Sequence, residues 1–219
     1  MPAKNSRKQY LVNGYYHLYN RGVEKRVVFL DEQDYSVFLS YLKDYLLPKN
    51  KSSLLQTIAD PHANSKQKDK VLKLLRLNNF ADTISLLAYC LMPNHFHFLV
   101  KQTQAESIAK FTNSLCTRYT MYFNRKYNRV GPLYQGVYKA VLVTSEEQLL
   151  HLSRYIHSQA SQGEALQPCS YLEYLGQRQT AWIKPDEILS YFSKTNPSLS
   201  YSAFMNLKED YSTLSPILL

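Results

Sequence analysis

Residues 84–101 read ISLLAYCLM (84–92), PN (93–94) and HFHFLVK (95–101). Nine nearly unbroken apolar residues make one strand buried on both faces. Pro93-Asn94 is turn chemistry. The seven residues that follow alternate and form the returning strand. Side chains along a strand point to opposite faces in turn, so His95, His97 and Leu99 share one face and Phe96, Phe98 and Val100 the other. The phenylalanine face is suited to packing under helices. The histidine face is then the one free to carry a site.

Working outward from this hairpin, YLVNGYYHLYN (10–20) is rich in aromatic and β-branched residues and predicts a first strand with an irregularity at Gly14, ended by Arg21-Gly22. Residues 31–47, DEQDYSVFLSYLKDYLL, open with acids and space Tyr35, Phe38, Leu39, Leu42 and Leu46 as one face of a helix. Residues 49–80 are polar and lysine-rich, a partly helical excursion from the core. After the hairpin, Ile108, Phe111, Leu115, Tyr119 and Tyr122 mark a second amphipathic helix. Residues 128–136 read as a loop and 137–143 as a strand. Ser145-Glu146-Glu147 caps a last helix running to about Ala160.

The order β-α-(excursion)-β-β-α-β-α predicts an α+β fold. It is a ferredoxin-like split β-α-β with an antiparallel sheet, two helices on one face and the last helix on the other. The expected division is a core domain over 1–162 and a C-terminal appendage over 163–219, packed on or beside the core.

The 219 residues carry 26 Lys+Arg against 17 Asp+Glu, a formal charge of +9, which favours a polyanionic partner and nucleic acid first. The 19 tyrosines, interleaved with those cations, suit a groove for unpaired bases, though most tyrosines line cores. Cys90, Cys116 and Cys169 form no C-x-x-C pair, which leaves neither a zinc ribbon nor a disulfide framework in view. The first 14 residues are polar and the longest apolar run is too short for a bilayer, so the expectation is a cytoplasmic protein without a membrane partner.

The chemistry-bearing residues lie on the returning strand and the last helix. Residues two apart on a strand stand roughly 7 Å apart, so two imidazoles at that spacing can converge on one cation. On EEQLLHLSRYIHSQA (146–160), His151, Tyr155 and Gln159 are spaced i, i+4, i+8. Docked on the histidine face, this helix brings Tyr155 and Gln159 towards His95 and His97, and the Gln159 amide oxygen can complete a metal's protein ligands. Each feature alone has a plainer reading: histidines on strands commonly satisfy themselves by hydrogen bonds, and a helical tyrosine is usually core. The conjunction of all of them on one basic chain is what points to catalysis.

Together these segments resemble a known family. LMPNHFHFLV (91–100) is similar to the His-hydrophobe-His motif of single-tyrosine HUH transposases, in the REP-associated and transposase-17 group. The stretch from Tyr15 to Tyr35 resembles that family's opening. RYTMYFNRKYNRVGPLYQGVYKAVLV (118–143) with LLHLSRYIH (149–157) resembles its second half. The resemblance covers about residues 10–47 and 84–175. It implies a divalent metal, Mg²⁺ or Mn²⁺, on His95 and His97 with Gln159, and Tyr155 as nucleophile. It also implies cleavage and strand transfer of single-stranded DNA beside a hairpin or palindrome through a 5′-phosphotyrosine. The family has Asn-Pro where this chain has Gln159-Ala160.

Arg21, Lys25, Arg26, Lys110, Arg118, Arg125, Lys126 and Arg129 bracket the site in sequence and are expected DNA contacts, and His151 is an expected auxiliary. A homodimer is left open. Two other readings compete: a non-catalytic ferredoxin-like nucleic-acid module and a metal phosphodiesterase that uses water.

Overall fold

The structure, a computed structural model, describes residues 10–160 and 167–207. The expected lead-in at 1–9 and the tail parts at 163–166 and 208–219 lie outside the described residues. Four strands, β1 (Tyr15–Arg21), β2 (Ile84–Met92), β3 (His95–Gln102) and β4 (Lys139–Val143), form one sheet in the order β2-β3-β1-β4 with every pairing antiparallel. This is the expected split β-α-β arrangement.

Helices α1 (Glu32–Leu46) and α4 (Ser107–Lys126) cover one face. They bury Phe38, Leu42, Phe111, Leu115 and Tyr119 against Tyr16, Leu18, Phe96, Phe98 and Val100. Helix α5 (Glu146–Gln159) covers the other face, where Leu149, Leu152 and Ile156 pack on Ala88, Cys90, Met92 and Leu99. The helix starts follow the sequence logic. Asp31 accepts from the Asp34 amide at 3.0 Å, and Ser145 accepts from the Gln148 amide at 3.1 Å with Glu146 and Glu147 in the first turn.

β2 supplies both cores by alternation, and its register shifts between Leu86 and Ala88. Ile84 and Leu86 face α1 and α4; Leu87 and Ala88 both belong to the α5 side; Tyr89 and Leu91 then return to the first core. One extra residue in a strand resets its alternation.

Two boundaries differ from expectation. β1 begins at Tyr15, not Tyr10, because residues 11–13 form a turn in which Asn13 takes φ 60° and the Gly14 amide donates to the Leu11 carbonyl. Asn is one of the few side chains that accepts this conformation readily. β4 begins at Lys139, not Val137, since Gly136 at φ 150° turns the chain and Val137 stays exposed. The excursion is two full helices, α2 (Lys51–Ala59) and α3 (Ser65–Arg76). α3 opens on a capping box between Asn64 and Gln67, and Lys49 Nζ donates to the Leu74 and Leu77 carbonyls at its end, where a cation meets the negative pole of the helix.

The segment 167–184 packs along the open edge of β2. The Leu91 amide donates to Pro168 O, the Ser170 amide to Tyr89 O, the Lys184 amide to Leu86 O, and Tyr174 Oη to Leu87 O. An uncovered edge strand invites pairing with another chain, and here the tail occupies those backbone groups. Short helices α6 (Tyr171–Tyr174), α7 (Asp186–Leu189) and α8 (Tyr201–Met205) then pack against α5. No helix among the described residues is long and apolar enough to cross a membrane.

Candidate active site

Strand register builds the site. On the α5 side of the sheet, Arg21 pairs with His95, Tyr19 with His97 and His17 with Leu99. Diagonal neighbours in such a ladder remain within reach of long or aromatic side chains. His17 Nε2 accordingly meets His97 Nδ1 at 2.9 Å, with the two rings stacked at 5.1 Å.

The turn before β3 fixes the other histidine. Asn94 Nδ2 donates to the Lys25 carbonyl at 3.2 Å, which turns Asn94 Oδ1 towards His95 Nδ1 at 2.5 Å. His95 therefore carries its proton on Nδ1 and presents a lone pair at Nε2. The chain can crowd this turn because residue 22 is glycine. A β-carbon there would stand 2.3 Å from the Arg26 carbonyl oxygen, while the Gly22 amide donates to Asn94 O.

His97 is fully buried, and its Nε2 has no partner. Burial holds His95 down to about 4, with Arg21 adding repulsion, and holds His97 well below the usual imidazole range, with His17, His95 and Arg21 adding to it. Both rings are thus neutral at pH 7, the form that binds metal. Two adjacent imidazoles, each held at Nδ1 by a second residue, are the donor arrangement of a metal-ligating pair. The orphaned Nε2 of His97 is the atom such an ion would satisfy. Among the described residues no group of three His, Cys, Asp or Glu side chains converges.

Helix α5 brings Tyr155 to this pair. Its ring lies 5.6 Å from that of His97 and 6.3 Å from that of His17, edge-on to both. Tyr155 is half-buried. Its phenol pKa is raised by burial and by nearby Tyr19, and lowered by Arg21. Gln159 lies buried in the last turn of α5, one turn beyond Tyr155.

The other expected residues fall in different places. His151 faces the tail, with Nδ1 3.2 Å from an Arg154 nitrogen and its ring against Phe204 of α8. Of the expected DNA contacts, Arg21 lies at the site. Lys25 and Arg26 belong to the turn beside Asn94. The cations of α4 ride on the opposite side of the sheet. Arg118 is paired with Asp44 at 2.7 Å and stacked 3.7 Å over Tyr41. Lys126 is bound between Asp31 and Asp34, and Lys110 pairs with Glu106 at the surface. Arg129 is held by Asn124 and by the Pro132 carbonyl, and Arg125 is exposed. Tyr119, Tyr122 and Tyr127 also lie on that side, their hydroxyls donating to Val28 O and the Asp34 carboxylate.

His17, Asn94 and Lys139 were not singled out from sequence. His17 and Asn94 hold the two imidazoles. Lys139 pairs with Tyr19 in the β1–β4 ladder and so lies on the site face. The cue for His17 was its alternation with Tyr15 and Tyr19, readable only once β1 is paired with β3.

Comparison with known proteins follows this geometry. The family described as "Transposase IS200 like" matches residues 60–159, a span that holds α3 through α5 and includes His95, His97 and Tyr155. No curated protein matches the chain. Solved structures similar to the chain include two. One is a REP-associated tyrosine transposase bound to a REP hairpin, 9% identical over 83% of this chain and 97% of that one, with a TM-score of 0.49. The other is a transposase candidate from Deinococcus radiodurans R1, 17% identical over 71% and 97%, with a TM-score of 0.37.

Proposed function

We propose that this chain, whose residues 60–159 match the IS200-like transposase family, nicks and rejoins single-stranded DNA beside a hairpin, using Tyr155 as nucleophile. The observation that carries this reading is the placement of the Tyr155 ring 5.6 Å from His97, whose Nε2 is buried and unpartnered. His95 and His97 would hold a divalent cation, Mg²⁺ or Mn²⁺, with Gln159 as the third protein ligand. When bound, such an ion stabilises negative charge on a scissile phosphate and favours the phenolate.

The chain's own residues do the rest. The Tyr155 oxygen forms a bond to the scissile phosphorus. The bond to the 3′-oxygen breaks, that oxygen leaves with a proton as a 3′-hydroxyl, and the phenol proton passes to solvent. The 5′-phosphate stays on Tyr155. The diester count is unchanged, so a second 3′-hydroxyl can reverse the step on a new end without a nucleotide cofactor. Arg21 opposes the effect of burial on the phenol. Arg21 and Lys139, on the same sheet face, supply positive charge for the strand backbone. His17 and Asn94 keep the two imidazoles aimed, and Asn94 Oδ1 holds the His95 proton on Nδ1.

The test is a denaturing gel with labelled hairpin-bearing single-stranded DNA, with Mn²⁺ or chelator, for the wild type, Tyr155→Phe and His97→Ala. The expected result is a denaturant-resistant protein–DNA band that needs metal and is absent from both variants. Cleavage without an adduct would replace this reading with a water-using phosphodiesterase. Binding without cleavage would replace it with a non-catalytic module.

A further inference from the structure

The lysine-rich insertion is not spent on the site. Helix α3 stands beside α1 and α4 on the side of the sheet away from His95, His97 and Tyr155, and a cleft of about 750 Å³ runs between them. One wall is α3, with Lys66, Lys70 and Lys73 at i, i+4 and i+7, one face of the helix. The other wall is α4, with Arg118, Tyr122 and Arg125 at the same spacing. Five cations thus line the cleft against two carboxylates, Asp44 and Asp69. Asp44 is already paired with Arg118. One nitrogen of that guanidinium, Nη1, is shut off from water and has no partner. A buried donor left unpaired is costly unless something else accepts from it.

We propose that this cleft is a second nucleic-acid site, binding the phosphate backbone of single-stranded DNA that flanks the segment being cut. Charge selects a polyanion, since the three exposed lysines of α3 repeat along roughly 10 Å of helix axis at 1.5 Å per residue. Shape selects a single strand. The cleft has the volume of a small-ligand pocket, which admits an extended strand and excludes the cylinder of a duplex. Met121 and Tyr122 line it as well, giving unpaired bases an apolar surface. Because the sheet separates the cleft from Tyr155, its occupant is a flank that wraps round the protein and not the scissile nucleotides. The insertion then tethers the substrate and lengthens the stretch of strand required for tight binding.

This inference goes beyond the proposed chemistry, and its test reads binding without cleavage. Lys66→Gln/Lys70→Gln/Lys73→Gln replaces exposed helical lysines by another good helix former. Fluorescence anisotropy over a salt series would compare the variant with wild type on a hairpin with long single-stranded flanks, the same hairpin with minimal flanks, and the blunt stem duplex. Losing three backbone contacts lowers the slope of log affinity against log salt by about 2 on the long-flank DNA, from 0.7 per single-strand contact. Affinity for the other two DNAs stays unchanged. Adduct formation on the minimal-flank hairpin, followed in parallel, also stays as in wild type. Absence of any adduct in wild type would undo the tyrosine mechanism and leave the binding result standing. An unchanged slope on long-flank DNA overturns the proposal, and so does an equal loss on the blunt stem, which would assign the cleft to duplex.

Discussion

His17 and His97 share a 2.9 Å hydrogen bond across two strands that are 80 residues apart in the chain. It leaves Nε2 as the only free position of the His97 ring, and that atom is buried without a partner. In the proposed mechanism His17 acts through His97, as a positioning residue. Loss of such an outer partner typically costs 10–100-fold in metal affinity. For His17→Gln we expect Mn²⁺ binding, followed by the signal of free Mn²⁺, to weaken by roughly that factor while the urea midpoint changes little. Unaltered Mn²⁺ affinity would remove His17 from the site.

Arg21 lowers the phenol pKa of Tyr155 and adds to the depression of both His95 and His97. Arg21→Gln should therefore raise all three. At neutral pH the phenolate fraction falls about tenfold for each unit that the phenol rises. The expected outcome is an adduct-formation rate whose pH profile moves to the alkaline side, with slower reaction at pH 7. A profile that drops in height without moving would mean that Arg21 acts only on DNA.

His157 is buried in the last turn of α5, with Nδ1 2.8 Å from Tyr201 Oη and Nε2 2.8 Å from Ser170 Oγ. Burial pushes its imidazole from 6.5 down to about 3. The folded pKa lies below the unfolded one, so the unfolded chain takes up the extra proton between the two. The contribution is whole above pH 6.5 and is lost as pH falls from there towards 3. The full shift corresponds to at most about 5 kcal/mol at 1.36 kcal/mol per unit. Urea unfolding should show wild type losing stability over this window faster than His157→Gln. Parallel curves would disprove the assignment.

Lys126 was an expected DNA contact, and the structure places it in an ion-pair cluster. Its Nζ lies 2.7 Å from Asp31 and 2.8 Å from the fully buried Asp34 carboxylate. Lys126→Gln should cost about 2 kcal/mol, the scale of a hydrogen bond to a charged group. It should leave DNA affinity and its salt slope unchanged. A reduced salt slope in a variant of wild-type stability would restore the contact role.

The fold was legible because its signals are local. Alternation in HFHFLVK separates Phe96 and Phe98 from His95 and His97, the helical spacing of α1, α4 and α5 holds, and Ser145 caps as its residue type predicts. The approach of Tyr155 to His97 followed from the same periodicities. What escaped depends on partners distant in sequence. The support of His97 by His17 requires the β1–β3 register. The ion pairs of Arg118 and Lys126 require knowing which helix lies alongside α4, and a cation's residue type does not reveal whether a carboxylate of its own chain already holds it. The tail was opaque because it works through backbone bonds to β2 and through helices of four or five residues, too short to show a period.

That tail has a consequence for Tyr155. α5 is pressed between its own sheet and the segment 167–207, with Ser153 and His157 bonded to Tyr201 on the outer side and Leu152 and Ile156 buried in the core. A helix clasped on two sides is not a swinging arm. Handing Tyr155 to a neighbouring molecule would mean tearing open the packing of both layers. On the proposed mechanism, the clamp makes for a self-contained reaction centre, in which a strand that a molecule opens would be held by that molecule's own tyrosine.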